Sequence, residues 1–391
     1  MLYIGIDIAK DKHDCHIFDS DGVVWQNNFT FQNGKDGFES LLAVIADCVQ
    51  KTKRGVKIGL EDTGHYSTNL LAFLLERGFD VVRFNALSVN RSRIAGTLRK
   101  TKTDKGDARY IAALLVARTT KTSKLPHDTI ATLKSLTRAR YRLIKEIQPL
   151  KNRYRRLLHL SFPESQGFFC KPYIPTALNL FAALPSAKAI ADCDVRKLTS
   201  LLKSFSKGKH GRNSADRLKV LAENSISHHN EGDAYELSLM AQRILFLEKQ
   251  LNVLETEIKR IMMLTNSTIT SIPGIGVNLG AAILAEIGDI HAFATPAKLL
   301  AFAGCEPSTY QSGKFTANKT PMVKRGSKYL RNALYLAASM AYIHSPSFRA
   351  YIDKKRSEGK HYYTAMSHGM KKLSRIIFAV LSKNILYSET V

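Results

Sequence analysis

The amino-acid sequence predicts an α/β domain followed by helical segments, and three features support this. Strand-like apolar runs alternate with amphipathic stretches near the start of the chain. A heptad repeat of apolar residues covers Leu237 to Ile261, and a glycine turn between two helical stretches covers Ser271 to Gly276. We therefore expect an α/β domain at 1–120, a basic helical and coiled-coil segment at 121–265, and a helical C-terminal domain at 266–391.

The first part reads as strands and helices in a mixed order. Three consecutive strands come first, and strands that alternate with helices follow. The expected strands are Leu2 to Ile8, Cys15 to Asp19, Val23 to Phe31, Val56 to Leu60 and Phe79 to Phe84, with helices at about Gly37 to Val49 and Tyr66 to Glu76. This order describes a mixed sheet of the ribonuclease-H kind.

Acidic residues occur where these elements end or begin. Asp7 lies near the end of the first strand, and Glu61 and Asp62 follow the fourth. Asp104 and Asp107 stand three apart at the start of a predicted helix, so both carboxylates share a helix face. The simpler interpretation is an acidic first turn that complements the helix dipole.

If these carboxylates instead meet at one sheet edge, a cation is needed. Two like charges about 4 Å apart repel by roughly 4 kcal/mol at an effective dielectric constant near 20. The sequence then predicts one or two Mg²⁺ or Mn²⁺ ions held by Asp7, Glu61, Asp104 and Asp107, as in phosphoryl transfer.

Composition points to a nucleic-acid partner. The chain has 391 residues, of which 58 are Lys or Arg and 33 Asp or Glu, for a formal charge of +25. No run of about 18 apolar residues could span a membrane, and no secretory signal is visible. Five cysteines without a CxxC pair indicate reduced thiols in a cytoplasm. His13, Cys15 and His16 alternate faces on a predicted strand and are interpreted as structural.

The middle of the chain combines basic and heptad-patterned helices. A helix over about Thr129 to Leu158 carries eight Lys or Arg between Arg138 and Arg156. The heptad helix pairs either with this basic helix or across a dimer. Residues 161–229 give no functional signal beyond a possible nucleic-acid contact. The heptad positions are Leu237, Met240, Ile244, Leu247, Leu251, Leu254, Ile258 and Ile261.

The C-terminal part begins with a helix–glycine turn–helix pattern. Backbone amides around Gly274 and Gly276 could hold a DNA phosphate, although any tight interhelical turn would look similar. Farther on, Ser312 and Gly313 precede six basic residues between Lys314 and Arg331, with no acid among them.

Several separated segments resemble one protein family. GIDIAK at 5–10, LEDTGHY at 60–66 and KTDKGDA at 102–108 resemble its first domain, and IPGIG at 272–276, AFAGCEPSTYQSGK at 301–314 and KRGSKYLR at 324–331 resemble its second. The family is the DEDD transposases of bacterial insertion sequences, which includes the Piv-type invertases. Asp62 departs from the pattern, because the family more often has a small residue there. This leaves open whether Glu61 or Asp62 faces the metal.

The resemblance implies a fold, an activity and partners. The first domain would be RuvC-like, with Asp7, Glu61, Asp104 and Asp107 as its four acids, and Ser312 would match the serine of the second domain. Members recombine element DNA with target DNA, and characterised ones use a structured bridge RNA that pairs with both. The logic parallels other RNA-guided systems.

We therefore predict a DNA transposase or recombinase that uses an acid–metal cluster and the Ser312 nucleophile, without a membrane partner. A homodimer or tetramer is expected, since two duplexes have four strands to cut. The alternatives are a hydrolytic Holliday-junction-type endonuclease that uses the acids alone, and a non-catalytic basic coiled-coil scaffold. The predicted nucleic-acid contacts are Arg91, Arg93, Lys102, Lys105, Arg138, Arg142, Arg153, Gly274, Gly276, Lys314, Lys324, Arg325 and Arg331.

Overall fold

A computed structural model of the protein describes residues 1–62, 64–96, 104–117, 122–123, 127–228, 230–308, 311–312, 315–316 and 320–389. The chain forms two compact units, Met1–Leu125 and Pro126–Val391. The predicted boundary at residue 120 lies outside the described residues. The chain does not divide into units at the predicted boundary near residue 265, and a separate domain there stays a prediction.

The first unit is built on a five-stranded mixed sheet with the strand order β3-β2-β1-β4-β5. The pairs β1–β2 and β2–β3 are antiparallel, whereas β1–β4 and β4–β5 are parallel. The elements are β1 Leu2–Ile8, β2 Lys12–Asp19, β3 Val24–Gln32, α1 Lys35–Thr52, β4 Val56–Glu61, α2 Tyr66–Glu76, β5 Asp80–Phe84, α3 Ala86–Gly96 and α4 Asp104–Ala117.

Strand alternation places different helices on the two faces of this sheet. Leu2, Ile4 and Ile6 are fully buried in one core with apolar residues of α1 and α2. The intervening residues of β1 face the other side, where α4 packs. The alternation predicted for β2 is confirmed, because Cys15 belongs to the core beneath α1 and α2 whereas His16 is near Arg109 of α4.

The predicted mixed sheet is confirmed, but one helix was missed. From the sequence, Arg91 and Arg93 are assigned only to nucleic-acid contact, whereas the structure has them in α3 at Ala86–Gly96. Its apolar residues show no helical periodicity, so nothing in the pattern indicated a helix. This helix matters because it forms one wall of the site described below.

The second unit is almost entirely helical. Three short 3-10 helices, at Pro163–Ser165, Thr268–Ser271 and Ile290–Ala292, accompany its longer elements. The α-helices and strands are α5 Asp128–Ser161, α6 Pro175–Ala183, α7 Ala187–Ala191, α8 Val195–Phe205, α9 Arg212–Glu223, α10 Glu231–Met263, α11 Val277–Ile287, α12 Pro296–Phe302, β6 Gln311–Ser312, β7 Phe315–Thr316, α13 Lys328–His344, α14 Pro346–Ser357 and α15 Tyr362–Lys383.

The heptad-patterned α10 packs against the basic α5 within the chain. The two helices run antiparallel, because Arg140 near the start of α5 pairs with Glu255 of α10, whereas Arg153, farther along α5, pairs with the earlier Glu236. Two more ion pairs, Lys151–Glu248 and Glu146–Arg243, lie between them. Of the heptad positions, Leu237, Ile244, Leu247, Ile258 and Ile261 are buried, and the other three are half-buried. The chain thus adopts the first of the two predicted pairings.

The α5–α10 pair connects two hydrophobic cores. One end of the pair, with Leu133 and Ile258, packs with α11 to α15. The other end, with Tyr154 and Leu237, packs with α6 to α9. In the described part of the chain, every helix is too short or too polar to cross a lipid bilayer.

Candidate nucleic-acid-processing site

Two strand glycines let α4 lie directly on the sheet. A Cβ atom on Gly5 of β1 would come within 2.1 Å of the Ala108 carbonyl oxygen. A Cβ atom on Gly59 of β4 would come within 2.9 Å of Ile111 Cγ2. Gly5 and Gly59 are in register on adjacent parallel strands. These contacts set the height and direction of α4 above β1 and β4.

The same geometry places Asp7 and Glu61 at one edge of the sheet. Each lies two residues after its glycine, so each shares the α4 face of its strand. Both side chains are half-buried. Glu61 lines a pocket of about 270 Å³, whereas Asp62 is exposed and is not among the lining residues. The structure therefore favours Glu61 over Asp62 as the acid that faces the site.

The first turn of α4 lies over this edge. Asp104 and Asp107 are each four residues, about one turn, before the residues that touch the strand glycines. Asp107 is 6% exposed and lines the pocket with Glu61. The side chain of Asp104 lies outside the described residues, as does that of Lys105.

Arg93 of α3 supplies positive charge to this pocket. Its Nε is 3.7 Å from Asp107 Oδ1, and its Nη2 donates a hydrogen bond to Asn90 Oδ1 at 2.6 Å. Arg93 was predicted to contact nucleic acid, and the structure places it among the acids. Arg91, on the same helix, is exposed. Lys102 lies outside the described residues.

Sequence reasoning missed one carboxylate near this edge. Asp14 of β2 is the register partner of Asp7, is 5% exposed, and accepts a hydrogen bond from Thr30 Oγ1 at 2.5 Å. The predicted second strand began at Cys15, because lysine and aspartate have low strand propensity. Extending the hairpin register back from Cys15 would have found it.

The acidic edge fits a hard divalent cation. Asp7, Glu61 and Asp107 are carboxylates on one face, and carboxylate oxygens are the ligands that Mg²⁺ and Mn²⁺ prefer. Among the described residues, no three His, Cys, Asp or Glu side chains already form a metal cluster. The carboxylate of Asp104 lies outside the described residues. The donor chemistry therefore fits, and the complete ligand set stays a prediction.

Ser312 lies on a small β-hairpin in the second unit. Residues Gln311 and Ser312 of β6 pair with Thr316 and Phe315 of β7. Farther from the tip, Ser308 N donates to Pro321 O at 2.8 Å and Val323 N donates to Glu306 O at 2.9 Å. Ser312 thus belongs to the last described pair before the turn. Its side chain, and all of Gly313 and Lys314, lie outside the described residues.

Arg331 holds the base of this hairpin. Its Nη1 donates to Ala303 O at 2.9 Å and to Lys324 O at 3.3 Å. Lys324 and Arg325 are exposed beside it. Of the predicted nucleic-acid contacts here, Lys324 and Arg325 are therefore accessible, whereas the Arg331 guanidinium is bonded to backbone carbonyls.

Comparison with known proteins finds a matching family for each of these two regions. Residues 4–163 match the DEDD transposase family of the element IS110, described as "Transposase". Residues 266–353 match the family described as "Transposase IS116/IS110/IS902 family". The first match contains all four predicted acids, and the second contains Ser312.

The chain belongs to the DEDD transposases of insertion elements. This is a family of DNA-processing enzymes, and its DEDD domain implies a RuvC-like fold, with which the five-stranded mixed sheet is compatible. Domains of this kind generally use divalent metal ions.

Relatives of this transposase align almost from end to end. The IS116 uncharacterized 44.8 kDa protein of Streptomyces clavuligerus is 26% identical over 99% of this chain and 96% of that relative. The IS900 uncharacterized 42 kDa protein of Mycobacterium paratuberculosis is 26% identical over 99% and 97%. The pilin gene-inverting protein of Moraxella lacunata is 23% identical over 100% and 98%.

Several basic residues of the transposase are already neutralised within the chain. On α5, Arg138 pairs with Glu286, and Arg140, Lys151 and Arg153 pair with glutamates of α10. Arg142 is exposed and has no carboxylate partner in the described part of the chain. Of the three predicted contacts on α5, only Arg142 is thus available without breaking an ion pair.

Glu286 organises the buried polar contacts of the C-terminal core. It is 3% exposed. The carboxylate accepts hydrogen bonds from Arg138 Nε at 2.6 Å, from Arg138 Nη2 at 3.0 Å and from Ser327 Oγ at 2.7 Å. Burial alone raises the pKa of Glu286, but the hydrogen bonds from Arg138 and Ser327 outweigh it and hold the pKa below its usual value. Ser327 also caps α13 through Leu330 N, so its hydroxyl is committed to structure.

The glycine turn differs from the predicted helix-hairpin-helix. The predicted motif has the long helix α10 leading directly into the turn, but α10 ends at Met263 and a separate 3-10 helix, Thr268–Ser271, precedes the turn. Gly274 has φ +84°, and a Cβ there would come within 2.4 Å of Ala341 N, so packing against α13 requires glycine. Gly276 caps α11 and is exposed. A phosphate contact at this turn stays a prediction, with Gly276 the accessible position.

Proposed function

We propose that this chain recombines insertion-sequence DNA through a Mg²⁺-dependent acid cluster and the Ser312 nucleophile. The observation that carries the proposal is the placement of Asp7, Glu61 and the first turn of α4 at one sheet edge. Support also comes from the relatives, which are named as insertion-element and gene-inverting proteins. Mn²⁺ could replace Mg²⁺ in the same oxygen ligands.

The residues of this chain divide the chemistry between them. The Ser312 hydroxyl oxygen would attack a DNA phosphorus and form a serine phosphodiester with one DNA end. The other end would leave as a free hydroxyl and take up a proton, while the serine proton passes to a base. Exposed Lys324 and Arg325 would neutralise the phosphate. A divalent cation held by the acids would stabilise charge on the attacking and leaving oxygens.

The phosphodiester with serine conserves the bond energy of the cut strand. Rejoining then needs only attack by a new DNA hydroxyl, which releases Ser312. No nucleotide cofactor is required for this exchange.

We further propose that sequence choice is delegated to a structured guide RNA encoded by the element. A formal charge of +25 suits a protein that binds RNA and DNA backbones together. The protein would contact shape and phosphates, while base pairing selects the element and target DNA.

Removing divalent metal should stop strand exchange without releasing the nucleic acid. With a chelator present, we expect no recombinant product, and addition of Mg²⁺ or Mn²⁺ should restore it. Binding, measured by gel shift in the same buffers, should persist, because it depends on basic residues. Recombination at the full rate in the chelator would contradict the proposed acid–metal cluster.

Assembly into a dimer or tetramer is proposed through a face of α10 that differs from the heptad seam. The seam is occupied by α5 within the chain. Leu239, Phe246 and Val253 lie seven residues apart and are 44%, 60% and 64% exposed. A seven-residue spacing places them on one side of the helix, and a second copy presents the same stripe for a two-fold contact.

The double variant Phe246→Asp/Val253→Asp should shift the protein to monomers in sedimentation velocity. Each buried apolar side chain contributes about 1.5 kcal/mol or more, and two charges would remove that gain. The matched control is Asn252→Asp/Lys259→Asn, which changes the charge by the same amount at two exposed positions of the same helix, each about 100° or more around the axis from the stripe. Wild-type monomers at all concentrations, with and without nucleic acid, would contradict this assembly.

A further inference from the structure

A pocket in the second unit lies where α5 leads into residues 161–229, a stretch that gives no functional signal in the sequence beyond a possible nucleic-acid contact. It has a volume of about 710 Å³ and is formed by the C-terminal end of α5 and the segment that follows. This volume falls in the range of about 300–1,000 Å³ typical of small-molecule sites. It is lined by Asn152, Arg155, Arg156, Leu158, His159, Phe162, Pro163, Ser165, Gln166, Gly167, Phe169, Cys170 and Pro172.

The pocket has an apolar wall and a cationic rim. Leu158 and Phe169 are 6% and 7% exposed and contribute apolar atoms to the wall, whereas Phe162 is fully buried. Arg155 and Arg156 are exposed at the rim, and no Asp or Glu occurs among the lining residues. Apolar surface beside unopposed positive charge suits a ligand with a flat ring and an anionic group.

The rim arginines are available for such a ligand. Four other cations of α5 are paired with glutamates, whereas neither Arg155 nor Arg156 has a carboxylate partner in the described part of the chain. Arg155 has only a ring contact, 5.9 Å from the centroid of Tyr173. The nearest acid in sequence, Glu164, is committed to Ile226 N at 2.9 Å and to Ser225. Guanidinium groups without a partner are strong phosphate ligands.

We propose that this pocket binds one nucleotide, with its base against Leu158 and Phe169 and its phosphate at Arg155 and Arg156. The proposal rests on the proposed function, which brings nucleic acid to the chain. Asn152 and Gln166 carry amide groups that can donate to and accept from a base edge. Bases inside a duplex are paired and stacked, so the source is an unpaired nucleotide of a strand, or else a free mononucleotide.

Cys170 provides a direct probe of occupancy. It lines the pocket and is exposed, whereas Cys15, Cys48, Cys193 and Cys305 are buried. A maleimide should therefore modify Cys170 first, and mass spectrometry of the digested protein should follow its rate. Cys170→Ser should remove this fast reaction and so verify the assignment.

The experiment measures that rate with a 12-nucleotide single strand, a blunt duplex of the same sequence, or a mononucleotide. At ten times the dissociation constant, the single strand should slow modification about tenfold, because only the free protein reacts. The duplex should protect much less. If the mononucleotide protects Cys170 as well as the single strand does, the site binds free nucleotides. If neither the single strand nor the mononucleotide protects Cys170, the proposal is overturned.

A double variant separates binding in the pocket from shielding by nucleic acid bound elsewhere. Arg155→Ala/Arg156→Ala should lose the protection, whereas Lys188→Ala/Lys203→Ala, with two exposed cations of the same helical region, should keep it. Wild-type protection in the pocket variant overturns the proposal. Strand exchange is measured separately, so a protein that recombines DNA without protecting Cys170 refutes this inference alone.

Discussion

Asp107→Asn is expected to abolish strand exchange while gel shifts show nucleic-acid binding close to that of the wild type. Asp107 is 6% exposed, lines the pocket with Glu61, and lies 3.7 Å from Arg93 Nε. Asparagine keeps the shape of the side chain but removes the negative charge that a divalent cation requires. Loss of a group that acts directly in the chemistry lowers rates by roughly three orders of magnitude or more.

The negative charge of Asp107 also balances the positive charge of Arg93. With asparagine, the Arg93 guanidinium would face the remaining carboxylates and could partly replace the cation electrostatically. It cannot activate an oxygen nucleophile, because it has no open coordination position. We therefore expect the Asn variant to stay folded and inactive, and Asp104→Ala and Asp107→Ala to behave in the same way.

A matched control lies beside Glu61. Asp62 is exposed and outside the pocket, so Asp62→Asn removes one nearby carboxylate without touching the proposed ligand set. This variant should recombine DNA at nearly the wild-type rate. If Asp107→Asn were equally active, the metal-site assignment would be wrong.

Ser312→Ala is expected to eliminate a covalent protein–DNA species that the wild type forms. The hydroxyl is the proposed nucleophile, and alanine leaves no oxygen to bond to phosphorus. The hairpin pairing of β6 with β7 involves backbone atoms, so the variant should keep its local fold. The measurement traps the reaction on end-labelled DNA, denatures it, and looks for label that migrates with the protein.

Two neighbouring serines test the specificity of this assignment. Ser308 lies at the base of the hairpin, and Ser308→Ala should still form the adduct. Ser327 is already bonded to Glu286 and caps α13, so Ser327→Ala should lower stability and leave the linkage chemistry intact. An adduct in Ser312→Ala would assign the nucleophile to another residue, whereas no adduct in the wild type would replace the serine mechanism with hydrolysis by the acid cluster alone.

The sequence predicted the parts of the fold that depend on local periodicity. The strand β1 was predicted at its observed bounds, as was α2, because alternation and helical spacing are each readable in a single stretch. The heptads of α10 were visible for the same reason. Asp7, Glu61, Asp104 and Asp107 could be chosen because strand ends and helix starts are local features.

Long-range contacts decided the rest. The heptad seam packs against α5 within the chain, and oppositely charged residues of the two antiparallel helices pair beside it. Arg138 became a partner of buried Glu286, which lies 148 residues away in the sequence.

By itself, the sequence determined the local pattern of acidic, apolar and glycine residues along each strand and helix. Only the tertiary structure decided that Gly5 and Gly59 bring α4 onto the sheet and that Asp14 lies beside Asp7. It alone also showed which arginines keep an unopposed charge. The reason is that burial and charge pairing depend on residues that are distant in sequence, and a local pattern records nothing about them.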